Sequence, residues 1–128
     1  MINKKEKILM IEDDPFLRKV YRDKFTQTGF DFIEATNGIE GTNKTISERP
    51  DIVLLDLMLP RKNGFEVLID IRKNKKNKNI PVIILSNLGQ ESDIERGLAL
   101  GADDYLVKTE ISISEIVDKV KEWLIKKK

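Results

Sequence analysis

The sequence of 128 residues contains neither cysteine nor histidine. The first absence excludes a disulfide framework, a thiolate zinc site and a cysteine nucleophile. The second removes a histidine general base, a phosphohistidine relay residue and the commonest transition-metal ligand. Any chemistry in this chain therefore rests on carboxylates, hydroxyls and lysines. An excess of one charge is also missing, because 23 Lys+Arg against 22 Asp+Glu leave a formal net charge of +1. No apolar run approaches the roughly 18 residues that a membrane span needs, and Met1 to Lys7 leads into a strand-like stretch without a signal peptide's apolar region. A soluble, cytoplasmic protein with no membrane partner is expected. What is present is 40% hydrophobic residues in a chain long enough to bury a core, and no linker, repeat or low-complexity segment starts a second domain.

Short apolar runs alternate with longer stretches of helical period. The runs are Ile8 to Ile11, Phe30 to Ile33, Ile52 to Leu55, Pro81 to Leu85 and Tyr105 to Val107. The first, third and fourth are apolar throughout, as strands covered on both faces must be. The second and fifth are weaker and read as edges. Phe16, Leu17, Val20, Tyr21 and Phe25 recur at helical spacing after Asp14 as cap and Pro15 in the first turn, and Gly29 stops that helix. Further helices are expected near Ile39 to Glu48, Phe65 to Lys73 and Ser92 to Leu100. The last helix carries one stripe of Ile113, Ile116, Val117, Val120, Trp123 and Leu124, with Ser112 and Glu115 at capping-box spacing.

Strict β-α alternation implies a parallel sheet with right-handed crossovers. The expected fold is α/β: a flavodoxin-like, doubly wound five-stranded sheet of order 2-1-3-4-5 with five helices on both faces. In such sheets the ligand crevice lies beyond the carboxyl ends of the strands, at the switch point between strands one and three. Strand one ends in Glu12-Asp13-Asp14, although a helix needs only one cap. Strand three ends in Asp56, so four acids converge. Crowded carboxylates repel unless a cation or proton compensates, and Mg²⁺ is the hard, oxygen-liking ion that fits best. Strand four ends in Ser86, a hydroxyl donor. Strand five ends in Lys108, an ammonium suited to holding a phosphate. Singly, a serine there is ordinary turn chemistry and a lysine a solvated surface group. On one edge, the set can hold a metal, a nucleophilic carboxylate and the oxygens of a transferring phosphoryl group.

Over nearly its whole length the sequence resembles a response regulator receiver domain of two-component signalling, of the chemotaxis type that stands alone. Ile8 to Pro15 resembles the acidic strand-one end, and Val53 to Gly64 (VLLDLMLPRKNG) resembles the phosphoacceptor segment, including Pro60 and Gly64. Val82 to Ser86 is similar to the strand ending in the signalling hydroxyl. Gly101 to Lys108 is similar to the family's GADDYLxK run. The resemblance implies one receiver domain over residues 1–128 without an output domain. It implies Asp56 as the phosphoacceptor, with Asp13, Asp56 and the Met58 backbone carbonyl as Mg²⁺ ligands and Glu12 acting through water. Ser86 and Lys108 would bind phosphoryl oxygens, Tyr105 would turn inward as Ser86 moves, and Asp14 would be helix cap first and outer acid second.

The implied donor is a histidine kinase or phosphotransfer protein acting in trans. The implied output is a downstream protein docked on the face of the fourth helix, fifth strand and last helix. The chain would be a monomer or a weak phosphorylation-dependent dimer, and no enzyme beyond self-phosphorylation and slow autodephosphorylation. Thr109 stands where the family usually has proline, so a cis linkage is not expected, and Asn87 replaces a common small residue. Met58 and Leu88 are apolar where family members tune water access, which implies a long-lived phosphoaspartate. Basic residues gather at Arg72, Lys73, Lys75, Lys76 and Lys78 and at Lys126 to Lys128. Without interleaved aromatics they do not lead us to expect a nucleic-acid partner.

Three alternatives to this reading are a phosphatase, a cofactor carrier and a pseudo-receiver. An Asp-nucleophile phosphatase would carry a second acid at position 58, where Met stands. A flavodoxin-like cofactor carrier needs a phosphate loop in place of Glu12-Asp13-Asp14-Pro15. A phosphorylation-independent pseudo-receiver would keep the fold as an interaction module.

Overall fold

Alternate residues of the central strands feed two separate cores, as the two-residue period of a strand dictates. The computed structural model describes residues 5–127, with β1 at Lys7–Ile11, β2 at Asp31–Ala35, β3 at Ile52–Leu55, β4 at Val82–Ser86 and β5 at Asp104–Val107. Ile8 and Met10, Ile52 and Leu54, and Ile83 and Leu85 point to one core. Leu9 and Ile11, Val53 and Leu55, and Val82 and Ile84 point to the other. All twelve of these side chains are buried. This explains why the three runs lack polar alternation. The sheet is parallel in the order β2-β1-β3-β4-β5, as expected.

The helices are α1 (Pro15–Gln27), α2 (Gly38–Glu48), α3 (Gly64–Lys73), α4 (Glu91–Ala99) and α5 (Ile113–Lys127). Tyr21 and Phe25 of α1 meet Ile116, Val117, Val120 and Leu124 of α5 in the first core. Phe65, Val67, Leu68 and Ile71 of α3 fill the second. On that same side α2 packs on α3, and Gly97 of α4 lies so close to Ile84 and the Tyr105 ring that a Cβ would crowd both. Helices therefore cover both faces, two on one side and three on the other.

Local signals explain the ends. Asp14 caps α1 through the Phe16 and Leu17 N–H groups, and Gly29 follows the helix with φ +99°, a conformation glycine adopts freely. Ser112 and Glu115 exchange both hydrogen bonds of the capping box, at 3.2 and 3.0 Å. The second strand runs on to Ala35, past the apolar segment ending at Ile33, because its ladder pairs Glu34 with Met10 and Ala35 with Ile11. Polar Glu34 on this edge strand hides that continuation from hydropathy.

Candidate functional site

β1 and β3 are neighbours with Ile11 opposite Leu55, so the residues after them meet at one sheet end. The register is reinforced there by the Asp56 N–H donating to the Ile11 carbonyl at 3.1 Å and the Glu12 N–H donating to Ala35 at 3.0 Å. Carboxylate oxygens of Glu12, Asp13 and Asp56 all lie within 4.8 Å of one another. Gly64 keeps the Asp56 loop tight. Its N–H donates to the Leu57 carbonyl at 2.9 Å, and a Cβ at Gly64 would overlap the Asp56 carbonyl.

Lys108 enters from the end of β5. Its ammonium is 2.5 Å from Glu12 and 3.2 Å from Asp56. Glu12 is 2% exposed and Asp56 7%, whereas Asp13 is exposed. Burial pushes the Glu12 carboxyl above its usual range, opposed by hydrogen bonds from Lys108 and the Asp14 N–H and assisted by the nearby Asp56 charge. For Lys108 burial acts downward, but Glu12 and Asp56 outweigh it and hold the ammonium above its ordinary pKa. Burial thus favours the neutral form of Glu12, while the two carboxylates favour the charged form of Lys108. Three hard oxygen donors at this spacing, one facing solvent, suit a Mg²⁺ ion that retains waters.

These groups open into a cleft of about 330 Å³ lined by Glu12, Asp13, Asp14, Leu17, Asp56, Met58, Asn87 and Lys108. Met58 is 60% exposed there, and its N–H donates to Asp56 at 3.3 Å. Ser86 is not among the lining residues. It is fully buried, and its hydroxyl accepts the Leu88 N–H at 3.2 Å. Tyr105 is half-buried, and its hydroxyl donates to the Leu88 carbonyl at 2.5 Å. Ser86 and Tyr105 therefore hold the same backbone unit from its two sides. Burial raises the Tyr105 phenol pKa, with the Asp93 charge adding to it and the Ser86 hydroxyl opposing it.

Two residues at the site carry no sequence motif. Arg18 donates through Nη1 to the Glu12 and Asp13 carbonyls at 3.0 and 2.9 Å and pairs through Nε with Glu34 at 3.3 Å. Its only signal is a cation one helical turn after the acidic strand end. Tyr21 is buried in the core, but its phenol also feels the site. Burial raises its pKa, Lys108 lowers it, and Glu12 and Asp56 raise it.

Elsewhere, the basic group splits. Arg72 is bound inward, to the carbonyls of Gly101, Asn77 and Ile80 and to Asp103, so it is no free cation. Lys128 lies outside the described residues. Trp123 packs against the core, donates to Asp104 at 2.9 Å and lies under Lys126. After Lys108 the chain forms a short 3₁₀ turn through Glu110, and no peptide among the described residues is cis. No described helix is long and apolar enough to cross a membrane.

The fold and site together define a doubly wound α/β domain with an acidic cluster and a lysine at its switch point. Residues 8–121 match the response regulator receiver domain family, and the chain belongs to it. Over 118 residues it is 36% identical to the DNA-binding dual master transcriptional regulator RpaA of Synechocystis sp., covering 92% of this chain and 48% of that protein. It superposes on the receiver domain of the Francisella response regulator 1452 with a TM-score of 0.88 at 33% identity, over 96% of this chain and 99% of that one. The receiver domain of the sensor histidine kinase PA1611 of Pseudomonas aeruginosa, which has a magnesium ion coordinated in its active site cleft, gives a TM-score of 0.86 at 26% identity, over 94% and 98% of the two chains.

The chain spans about half the length, or less, of the curated relatives it matches. Those relatives are transcriptional regulators. They lend no support to the expectations of a chemotaxis-type stand-alone receiver and of no nucleic-acid partner.

Proposed function

We propose that this receiver accepts a phosphoryl group on Asp56 from a phosphohistidine carried by a histidine kinase or phosphotransfer protein, in a Mg²⁺-dependent reaction. The observation that carries the reading is the Glu12, Asp13 and Asp56 cluster with the Lys108 ammonium set between two of its members. Asp13, Asp56 and the Met58 carbonyl would hold the ion, with Glu12 acting through water. When bound, Mg²⁺ neutralises charge shared between the acids and the incoming phosphoryl oxygens.

An Asp56 carboxylate oxygen attacks phosphorus and forms the O–P bond of an acyl phosphate. The donor's P–N bond breaks, its electron pair stays on that imidazole nitrogen, and the proton already carried by the other ring nitrogen makes the leaving group a neutral histidine. Lys108 exchanges part of its pairing with Glu12 and Asp56 for a phosphoryl oxygen. Ser86 donates its hydroxyl to another, and because that hydroxyl is buried and does not line the cleft it has to swing toward the phosphate, away from the Leu88 N–H it now accepts. Because the Tyr105 hydroxyl holds the same residue's carbonyl, freeing Leu88 on one side loosens it on the other. The response then reaches α4, β5 and α5, and the proposed output is a protein contact on that face, including a weak phosphorylation-dependent dimer. Apart from loss of its own phosphate by hydrolysis, the chain turns over no substrate.

Intact-protein mass after incubation with Mg²⁺ and acetyl phosphate tests this. The expected result is a single phosphoryl adduct that disappears in Asp56→Asn and without the metal. No adduct, together with no spectral response to a phosphate-mimicking fluoride complex, would replace this reading with the phosphorylation-independent interaction module.

A further inference from the structure

The three acids of the cleft are not held alike. The Glu12 carboxylate accepts the Asp14 N–H at 3.1 Å, the Asp56 carboxylate accepts the Met58 N–H at 3.3 Å, and both pair with Lys108. The Asp13 carboxylate is exposed and has no hydrogen-bond or ion-pair partner among the described residues. One of its oxygens nevertheless lies within 4.8 Å of a carboxylate oxygen on each of the other two. Its direction is therefore set by the main chain that carries it.

That main chain is gripped from α1. Arg18 Nη1 donates to the Glu12 carbonyl at 3.0 Å and to the Asp13 carbonyl at 2.9 Å. These two carbonyls flank Asp13 on either side. The backbone of a residue has only two soft torsions, and holding the peptide oxygens before and after Asp13 restrains both of them.

Arg18 is itself anchored. Its Nε pairs with Glu34 at 3.3 Å, and Arg22, one helical turn further on, clamps the same carboxylate with two bonds of 2.8 and 2.6 Å. Glu34 stands on β2 opposite Met10 of β1, two residues before Glu12. The Arg18 and Glu34 side chains are 16% and 21% exposed, so this pair is partly shielded from water. A rigid guanidinium serves Glu34 through one nitrogen and the two carbonyls through another, which a lysine ammonium cannot do as a fixed fork.

We infer that Arg18 is a positioning residue for the metal site, holding the Asp13 backbone so that the Asp13 carboxylate is presented to the ion beside Asp56. This role rests on the Mg²⁺-binding reading given above. Groups that orient metal ligands from behind typically account for 10- to 100-fold in metal affinity. If Arg18 were only a tie between α1 and β2, its charge would be its sole effect on the ion. A cation beside a dication's site repels it, so its removal would then tighten Mg²⁺ binding, whereas removal of a positioning group weakens it. The two roles thus differ in sign.

Mg²⁺ titration of the full chain, followed by the backbone signals of Glu12 to Asp14 and Asp56 to Met58 in ¹H–¹⁵N spectra, tests the inference. The same spectra report whether each variant is folded. Arg18→Gln should weaken Mg²⁺ binding about tenfold. Arg18→Lys keeps the charge without the fork and should also bind more weakly than the parent. Unchanged or tighter binding by Arg18→Gln, or parent affinity in Arg18→Lys, would overturn the positioning role while leaving the Mg²⁺ site in place. Lower stability of Arg18→Gln to urea in EDTA with unchanged Mg²⁺ affinity would mark a structural tie alone and overturn it equally. A parent chain that binds no Mg²⁺ would overturn both the site and the role.

Discussion

The Lys108 ammonium lies 2.5 Å from Glu12, a carboxylate contributed from the far side of the sheet's switch point and only 2% exposed. In the metal-free protein this lysine compensates the acidic cluster. Replacing it leaves a buried carboxylate, still bonded to the Asp14 N–H, without its countercharge, which costs about 3 to 5 kcal/mol in comparable buried pairs. Lys108→Met should therefore lower the stability of the metal-free protein by that order, measured by urea unfolding in EDTA. Millimolar Mg²⁺ should recover much of the loss, because a divalent ion bound to the acids takes over the compensation. A variant as stable as the parent without Mg²⁺ would show that the lysine does not carry this charge balance.

The start of α5 gives a pH prediction of definite sign. The backbone and hydroxyl of Ser112 hold the Glu115 carboxyl below its usual pKa. A depressed acid contributes stability that is present above its unfolded-state pKa of 4.5 and is lost as pH falls through the lower folded value. The first turn of α5 should thus stay intact at neutral pH and begin to fray below about pH 4.5. Side-chain NMR titration checks this: the Glu115 pKa should lie below the ordinary glutamate value of 4.5. Ser112→Ala should move it back up.

Met58 bears on how long the proposed acyl phosphate lasts. It is 60% exposed in the cleft beside Asp56, and a thioether is too weak a hydrogen-bonding group to orient an attacking water. An asparagine there can hold one. A single neutral hydrogen bond contributes about 1 kcal/mol, so Met58→Asn should speed phosphate loss by roughly fivefold. The rate is read from the decay of the phosphorylated mass after donor removal. An unchanged rate would mean that access at this position does not limit hydrolysis.

Much of the fold was legible because its rules are local. Strands covered on both faces have to be apolar at every position, and β1, β3 and β4 are. The caps at Asp14 and Ser112 follow from side-chain chemistry, and the switch-point acids follow from strand order. What escaped depended on long-range pairing. The match of Glu34 to Met10 across the ladder extends β2 beyond its apolar part. Arg18 reads as a surface arginine until the chain folds back and offers it two carbonyls. The concealment of Ser86 behind the Leu88 backbone cannot be read from a run of strand residues, because it depends on how the next loop turns. Asn77 is likewise an ordinary turn residue until burial leaves its amide without a partner.

Arg72 shows how a residue that reads as part of a charge run can be a structural tie. Its Nε donates to the Gly101 carbonyl at 2.9 Å, Nη1 to Ile80 at 2.7 Å and to Asn77 at 3.2 Å, and Nη2 to Asp103 at 2.9 Å. One planar group thereby joins the end of α3, the turn before β4 and the turn before β5. Asp103 in turn accepts the Val82 N–H at 2.8 Å and fixes the start of β4. A lysine carries the charge but not the fork, and cannot reach three carbonyls and a carboxylate together. Arg72→Lys should therefore lose nearly as much stability as Arg72→Ala, about 2 kcal/mol in each case because the part-buried Gly101 and Ile80 carbonyls lose the guanidinium donor. Chemical unfolding of the two variants decides it. If lysine restored the parent's stability, the guanidinium's charge alone would account for its role and the shared geometry would be incidental.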